Sequence, residues 1–240
     1  MEISKICKSK IVPLNLKNTL KDAILKVLRI EYSVPIVDKK SLIGCLSDSD
    51  LLGIIYTRKY GISERIKNID YIQFPISINK KEKIDKAIEL IKNYNLNSLV
   101  VVNENNFPEY VLKDFELLKF IEVEGLVKDF MTKNPICTKI DNSENLIRML
   151  VFSKFRNLPV IDKEKKFIGV LNVHRVLKSL YLNNFKIPND IVLKIETFEK
   201  DDDIILVKKF LIEKKVAIIA EENKVIGIIT PYDIIKKFHE

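Results

Sequence analysis

Ser47 and Asp50 stand three residues apart, and so do Thr230 and Asp233. In both places a glycine, Gly44 or Gly227, lies six residues ahead of the aspartate. An ionised carboxylate only accepts hydrogen bonds, and it can take two hydroxyl donors at once. At the first turn of a helix it also sits among free N–H groups and a positive dipole, a setting suited to phosphate. The same spacing has a purely structural reading. Ser or Thr at a helix cap with an acid three residues on is a capping box, here with aspartate for glutamate, worth on the order of 1 kcal/mol. A third instance bears on the choice: Asn172 and Arg175 follow Gly169 at the same steps, so a cap at this place does not require an acid.

No catalytic constellation accompanies these residues. The chain has no Gly-rich phosphate loop, no H-E-x-x-H and no serine or cysteine nucleophile elbow. It holds only two histidines, and its carboxylates are not distinctively placed for acid–base work. A conventional enzyme is not expected. Asp201-Asp202-Asp203 is explained by a helix start without any cation.

The elements that must position these residues recur four times. The most legible copy runs from Leu126 to Leu180: Asp129-Phe130-Met131-Thr132, then Pro135-Ile136-Cys137, a helical segment, Leu158-Pro159-Val160-Ile161-Asp162, and Phe167-Ile168-Gly169-Val170-Leu171 leading into a second helix. The first copy, about residues 3–58, carries Val12-Pro13-Leu14 as a short strand. A helix follows with Leu20, Ala23, Ile24, Val27 and Leu28 on one face, capped by Asn18 or Thr19. Val34-Pro35-Ile36-Val37-Asp38 and Leu42-Ile43-Gly44-Cys45-Leu46 then form a hairpin. The second, about 62–121, is worn: Phe74–Ile78 is the expected strand, the hairpin glycine is missing, and Lys113 and Glu116 stand for Ser47 and Asp50. The fourth, about 185–238, has Val192–Ile195 as its expected first strand and Pro231 at the first position of its last helix. Pro35 and Pro159 are 124 residues apart, and Gly44 and Gly169 are 125 apart, which indicates a duplicated pair joined near Glu122–Gly125. Each unit has an apolar helix face and an apolar sheet face that it cannot cover alone, so the four should associate as two pairs, 1–121 and 122–240.

This order β-α-β-β-α resembles the cystathionine-beta-synthase (CBS) domain. The resemblance rests on the D-h-M-T-x-x-P start at Asp129 to Pro135, the h-P-V-h-D strand at Leu158 to Asp162, and G-h-h-(S/T)-x-x-D at Gly44–Asp50 and Gly227–Asp233, h being apolar. It covers essentially the whole chain. It implies an α+β fold of four tandem repeats in two pseudo-symmetric pairs, disc-like, as in the gamma subunit of AMP-activated protein kinase and in stand-alone archaeal and bacterial regulators. It further implies a regulatory, non-enzymatic protein that senses energy status by binding an adenosine-containing ligand such as AMP, ADP, ATP or S-adenosylmethionine between repeats. The aspartate would take the ribose hydroxyls and basic side chains the phosphates. Carried over, Ser47, Ser49 and Asp50 mark one site, with Tyr71, Gln73, Phe74 and Asn95–Asn97 as walls. Thr230 and Asp233 mark a second, with Pro135, Ile136, Cys137, Phe155, Arg156 and Pro159 as walls. Arg156, Lys214, Lys215 and His174 are the candidate phosphate partners. Plainer readings stand beside these: Arg156 as a solvated loop residue, Phe155 as core, Lys214-Lys215 as a solvated helix end, Cys137 as an apolar strand residue, Arg175 in a surface or inter-repeat salt bridge, and His174 and His239 as structural. Two good sites are expected, not four.

Composition bounds the rest. With 240 residues, 47% hydrophobic and 31% charged, the chain is globular. Three scattered cysteines (Cys7, Cys45, Cys137) give neither a disulfide framework nor a zinc site and suit a reducing cytoplasm. No apolar run approaches a membrane span, so a cytoplasmic, soluble protein is expected. The net charge of +8 is carried by lysine pairs separated by acids rather than by one stripe. A nucleic-acid-binding or scaffold role using that basic surface is therefore the alternative, ranked lower. The expected partners are the small molecule, an effector protein and, as an open alternative, a second copy of the chain; no cofactor is required.

Overall fold

The computed structural model describes residues 1–7, 10–70, 72–139, 143–153, 155–183 and 191–238. Tyr71, Phe185 and His239 lie outside these described residues.

Repeat one comprises β1 (Leu14–Asn15), α1 (Leu20–Ile30), β2 (Ser33–Asp38), β3 (Ser41–Ser47) and α2 (Asp48–Thr57). Repeat two comprises β4 (Ser77–Asn79), α3 (Ile84–Tyr94), β5 (Ser98–Val102), β6 (Pro108–Lys113) and α4 (Asp114–Leu117). Repeat three begins with α5 (Val127–Phe130) and β7 (Thr132–Lys133). It continues through β8 (Thr138–Lys139), α6 (Ser143–Ser153), β9 (Asn157–Ile161), β10 (Phe167–Asn172) and α7 (Val173–Leu182). Repeat four comprises β11 (Thr197–Phe198), α8 (Ile204–Lys214), β12 (Ala217–Glu221), β13 (Lys224–Ile229) and α9 (Pro231–Lys237). In each repeat the first strand runs parallel to the second, and the second pairs antiparallel with the third. The fold is thus α+β, with one small sheet per repeat.

Local chemistry sets the helices. Thr19 caps α1 through a capping box with Asp22: the Asp22 N–H donates to Thr19 Oγ1 at 3.3 Å, and the Thr19 N–H donates back to Asp22 Oδ2 at 2.8 Å. The buried face of α1 is Leu20, Ala23, Ile24 and Val27, as its spacing requires.

Repeats exchange their first segments within each half. Ile3 packs in the core of repeat two, and Ile66 packs in that of repeat one. Val127 is buried with repeat four, and Ile191 with repeat three. The chain that follows each of these residues lies along the partner's third strand. Cys45 bridges Gln73, the Ile11 N–H donates to the Glu109 carbonyl, Val170 bridges Leu193, and β13 pairs with β7. This corrects the expected first strands. Val12 is exposed and β1 starts at Leu14; β4 starts at Ser77 rather than Phe74; β11 is Thr197–Phe198 rather than Val192–Ile195. Pro135–Cys137 likewise falls between two short strands. Ile72, Met131, Val192 and Leu193 pack on a neighbour's third strand, whereas Val12, Phe74 and Ile136 are exposed, so an apolar run at these places does not mark a strand.

The exchange explains the glycines. A Cβ on Gly44 would meet Ile72 Cγ2 at 2.1 Å, one on Gly169 the Leu193 carbonyl oxygen at 2.6 Å, and one on Gly227 Met131 Sδ at 2.5 Å. These three third strands are bare where the partner's segment crosses them.

The two halves join through their helices. Leu177 of α7 lies in the core of repeat one, Leu52 of α2 lies in that of repeat three, and repeats two and four share one continuous core that includes Leu117, Leu118, Ile234 and Ile235. Sheets meet within each half, at Leu42, Val100 and Val102 and at Phe167, Val170, Val216 and Ile218. Repeats one–two–four–three therefore close a ring, the disc expected from the repeat pattern. Each leucine buried across the joint contributes about 1.5–3 kcal/mol. Among the described residues no helix is long and apolar enough to cross a membrane.

Candidate functional site

The hairpin registers place Gly44, Tyr110, Gly169 and Gly227 at equivalent positions, each opposite the same step of the second strand and beside the same bulge. Six residues on stand Asp50, Glu116, Arg175 and Asp233, all at a helix start facing the partner repeat.

At Asp233 the helix cap forms as the spacing requires. The Thr230 N–H and hydroxyl both donate to Asp233 Oδ2 at 2.7 Å. Oδ1 accepts from the Thr132 hydroxyl of repeat three at 3.0 Å. The carboxylate borders a cleft of about 670 Å³. Thr230, Pro135, Ile136, Phe155, Arg156, Pro159 and Lys215 line it, as do Thr132, Asp114 and Tyr32. Ile136 and Phe155 are 57% and 43% exposed, so Phe155 is cleft wall rather than core. Cys137 is the one residue of this expected set that does not line the cleft. It is half-buried outside any strand, its thiol donating to the Pro135 carbonyl, and burial raises its pKa.

The Asp50 cleft is smaller, about 410 Å³, and brings together Ser47, Ser49, Asp50, Gln73, Phe74 and Asn95–Asn97. Ser47 donates to Asp50 Oδ2 through its N–H at 2.8 Å and its hydroxyl at 2.7 Å, and the Asp50 N–H donates to Ser47 Oγ at 3.0 Å. Among the described residues Oδ1 accepts no hydrogen bond. Burial raises the Asp50 pKa, against the lowering effect of the Ser47 hydrogen bonds.

The other two positions are closed by their own side chains. In repeat two the missing glycine is Tyr110, whose hydroxyl donates to Glu116 Oε1, while the Lys113 N–H donates to Oε2 at 2.9 Å. The residue that replaces the glycine thus occupies its carboxylate. In repeat three Arg175 turns to the partner lead-in, its Nε donating to the Ile191 carbonyl at 3.2 Å, an inter-repeat contact to backbone. The adjoining cavity, near His174, Lys214 and Lys215, is about 190 Å³.

The middle of the disc differs most from expectation. Tyr32, Asn97, Arg156 and Lys215 each stand four residues before the second-strand partner of Gly44, Tyr110, Gly169 or Gly227, and the first three accept, through their carbonyls, the N–H that opens the paired helix: Asp48, Asp114 and Val173. Arg156 is neither solvated nor free for phosphate. Its two terminal nitrogens donate to the two oxygens of Asp48 at 2.7 and 2.6 Å, and its guanidinium stacks on the Tyr32 ring at 3.9 Å. Lys215, expected at a solvated helix end, donates to Glu31 at 2.6 Å and lies 4.8 Å over Phe115. His174 Nδ1 is buried 3.8 Å from Asp48 Oδ2 without a hydrogen-bond partner. Half two thus supplies two cations, and half one supplies Asp48 and Asp114, which are 0% and 1% exposed. Burial works to raise the Asp48 pKa, but the Arg156 charge and hydrogen bonds bring it below the ordinary carboxylate value. Asp114 has no such fork: burial pushes it up to about 7 despite the nearby Arg156 charge. Sequence reasoning missed both acids because aspartate in a first helical turn is ordinary. The signal was their shared step, four residues after Gly44 and Tyr110.

Comparison with known proteins matches this architecture. A crystal structure from Methanocaldococcus jannaschii, named as a candidate archaeal homologue of g-AMPK, superposes with a TM-score of 0.85. The two are 20% identical, and the match covers 98% of this chain and 99% of that one. An uncharacterised conserved protein from Pyrococcus horikoshii superposes with a TM-score of 0.64 at 17% identity, over 98% and 99% of the two chains. In sequence, inosine-5′-monophosphate dehydrogenase of M. jannaschii is 22% identical over 163 residues, 64% of this chain but 33% of the enzyme. The chloroplastic CBS domain-containing protein CBSX2 of Arabidopsis thaliana is 24% identical over 135 residues, 42% of this chain and 57% of that protein. The chain thus spans between a third and somewhat over half of these relatives' lengths. The CBS domain pattern matches four times, at residues 3–57, 67–123, 127–182 and 190–240, and the chain belongs to the CBS domain family.

Proposed function

We propose that this chain is a regulatory, non-catalytic sensor that binds an adenosine-containing ligand in the Asp233 cleft and, with a smaller cavity, in the Asp50 cleft. The observation that carries the reading is the Asp233 carboxylate. It is fixed by its own cap at the edge of an apolar-walled cleft of about 670 Å³, a volume suited to a nucleoside-sized ligand. Each carboxylate oxygen has about two acceptor positions; Thr230 fills both on Oδ2 and Thr132 takes one on Oδ1, which leaves one for a ribose hydroxyl and a second when the ligand displaces Thr132. Pro135, Ile136, Phe155 and Pro159 offer the apolar surface that a purine ring would cover.

The Asp233 cleft draws its lining from all four repeats and the Asp50 cleft mainly from repeats one and two, so a bound ligand bridges repeats and stabilises the assembled chain by mass action, about 2.7 kcal/mol at a hundredfold excess over Kd. An effector protein that senses that stiffening completes the regulatory reading. Thermal melts with AMP, ADP, ATP, S-adenosylmethionine and methylthioadenosine at millimolar concentration test it. A rise in midpoint with at least one, reduced in Asp233→Ala, is the expected outcome; no shift with any of the five contradicts the proposal.

A further inference from the structure

The Asp233 cleft runs inward to the middle of the disc, where Asp114, Arg156 and Lys215 form its floor. Both cations there are already engaged. Arg156 spends both terminal nitrogens on Asp48, which is fully buried, and Lys215 holds Glu31. Asp114 adds a third carboxyl facing the same two cations. The floor therefore has three acidic groups to two basic ones.

A polyphosphate tail reaching this floor must win Arg156 from Asp48, and a buried carboxylate stripped of its partner is strongly destabilising. It must also lie against Asp114. The remaining lining cation, Lys236, is exposed on α9, where salt screens it. The overall charge of +8 draws anions towards the surface but does not alter this local count. A neutral or positively charged tail meets none of these obstacles, and a cation gains from the surplus carboxyl.

Resting on the adenosyl reading above, we infer that the Asp233 cleft selects adenosyl compounds whose 5′ substituent is uncharged or cationic over nucleoside polyphosphates. Asp114 is the residue that sets this preference. AMP, with a single phosphate, falls between the two classes.

Calorimetric titration of the full chain at about pH 8, above the Asp114 pKa of about 7, with methylthioadenosine, AMP and magnesium-free ATP tests this, in wild type and in Asp114→Asn. Methylthioadenosine is expected to bind at least tenfold more tightly than ATP, and Asp114→Asn is expected to narrow that ratio severalfold. ATP binding as tightly as methylthioadenosine to wild type overturns the inference and leaves the adenosyl reading standing. Binding by none of the three overturns the inference, and if ADP and S-adenosylmethionine also fail to bind the adenosyl reading falls with it. An unchanged ratio in Asp114→Asn overturns the role given to that residue. Should that variant fail to fold, Glu31→Gln, which releases Lys215, must narrow the ratio instead, and an unchanged ratio there overturns the proposal.

Discussion

Two kinds of helix start face the repeat interfaces of this disc. At Asp50 and Asp233 a serine or threonine satisfies one carboxylate oxygen, the upstream glycine keeps the third strand bare, and a cleft stays open. At Glu116 and Arg175 the same backbone position carries a side chain that consumes the space, either as the acceptor of Tyr110 or as a donor to the Ile191 carbonyl. The fold is common to all four. What differs is the residue at the helix start and, in repeat two, the residue at the glycine position, so capping alone does not distinguish a cleft from a filled joint. Asn172 caps α7 as well as Ser47 caps α2, its side chain accepting the Arg175 N–H at 3.1 Å.

The largest effect expected on this comparison lies beneath the open clefts. Arg156→Ala leaves Asp48 buried without its fork and should cost about 3–5 kcal/mol in denaturant unfolding. Adding Asp48→Asn should return much of that loss; a single-variant cost under about 1 kcal/mol would show that the central pair does not hold the halves together.

Asp114 gives a pH signature of opposite sign to Asp48. Its folded pKa of about 7 is above the unfolded 3.8, so the folded state binds more protons across that window and stability falls as pH rises from about 4 to 7. Asp114→Asn should therefore stabilise the chain at pH 8 by up to a few kcal/mol and change little at pH 4. For Asp48 the folded value is below 3.8, so its contribution is present above that pH and lost in stronger acid. Melting midpoints from about pH 2 to pH 8 for the wild type and Asp114→Asn check both signs.

At the clefts themselves, Asp233→Ala removes hydrogen bonds to a charged group, about 1.5–3 kcal/mol of ligand affinity. Glu116→Ala, at a filled joint, should leave affinity unchanged. Converting the second kind of start into the first sharpens the contrast further. Tyr110→Gly with Glu116→Asp should open a new cleft and add a binding equivalent in calorimetry. The smallest effect is that of a cap remote from any cleft: Thr19→Ala should cost about 1 kcal/mol of stability and no affinity.

Much of this was legible in the residues. The recurring glycine and helix-start steps located repeats one, three and four, and the apolar helical face of Ile84, Ala87, Ile88 and Ile91 located the worn second one. The first strands were misplaced because Phe74 is exposed at the Asp50 cleft and Val192 and Leu193 pack on the third strand of repeat three. The walls at Pro135, Ile136, Phe155 and Pro159 came together as the family resemblance implied, whereas Cys137 turned aside. The charges were least legible. Arg156 and Lys215 read as spare cations because their partners, Asp48 and Glu31, lie 108 and 184 residues away in sequence. Nothing local to a lysine or arginine records which distant carboxylate will neutralise it.

The central claim is that aspartate starts make ligand sites and the other starts do not. Calorimetric stoichiometry with whichever of AMP, ATP, S-adenosylmethionine and methylthioadenosine binds most tightly tests it directly. Two equivalents are expected for the wild type, one for Asp233→Ala and one for Asp50→Ala. Unchanged stoichiometry and affinity in both variants, or no heat with any of the four ligands, would contradict the account.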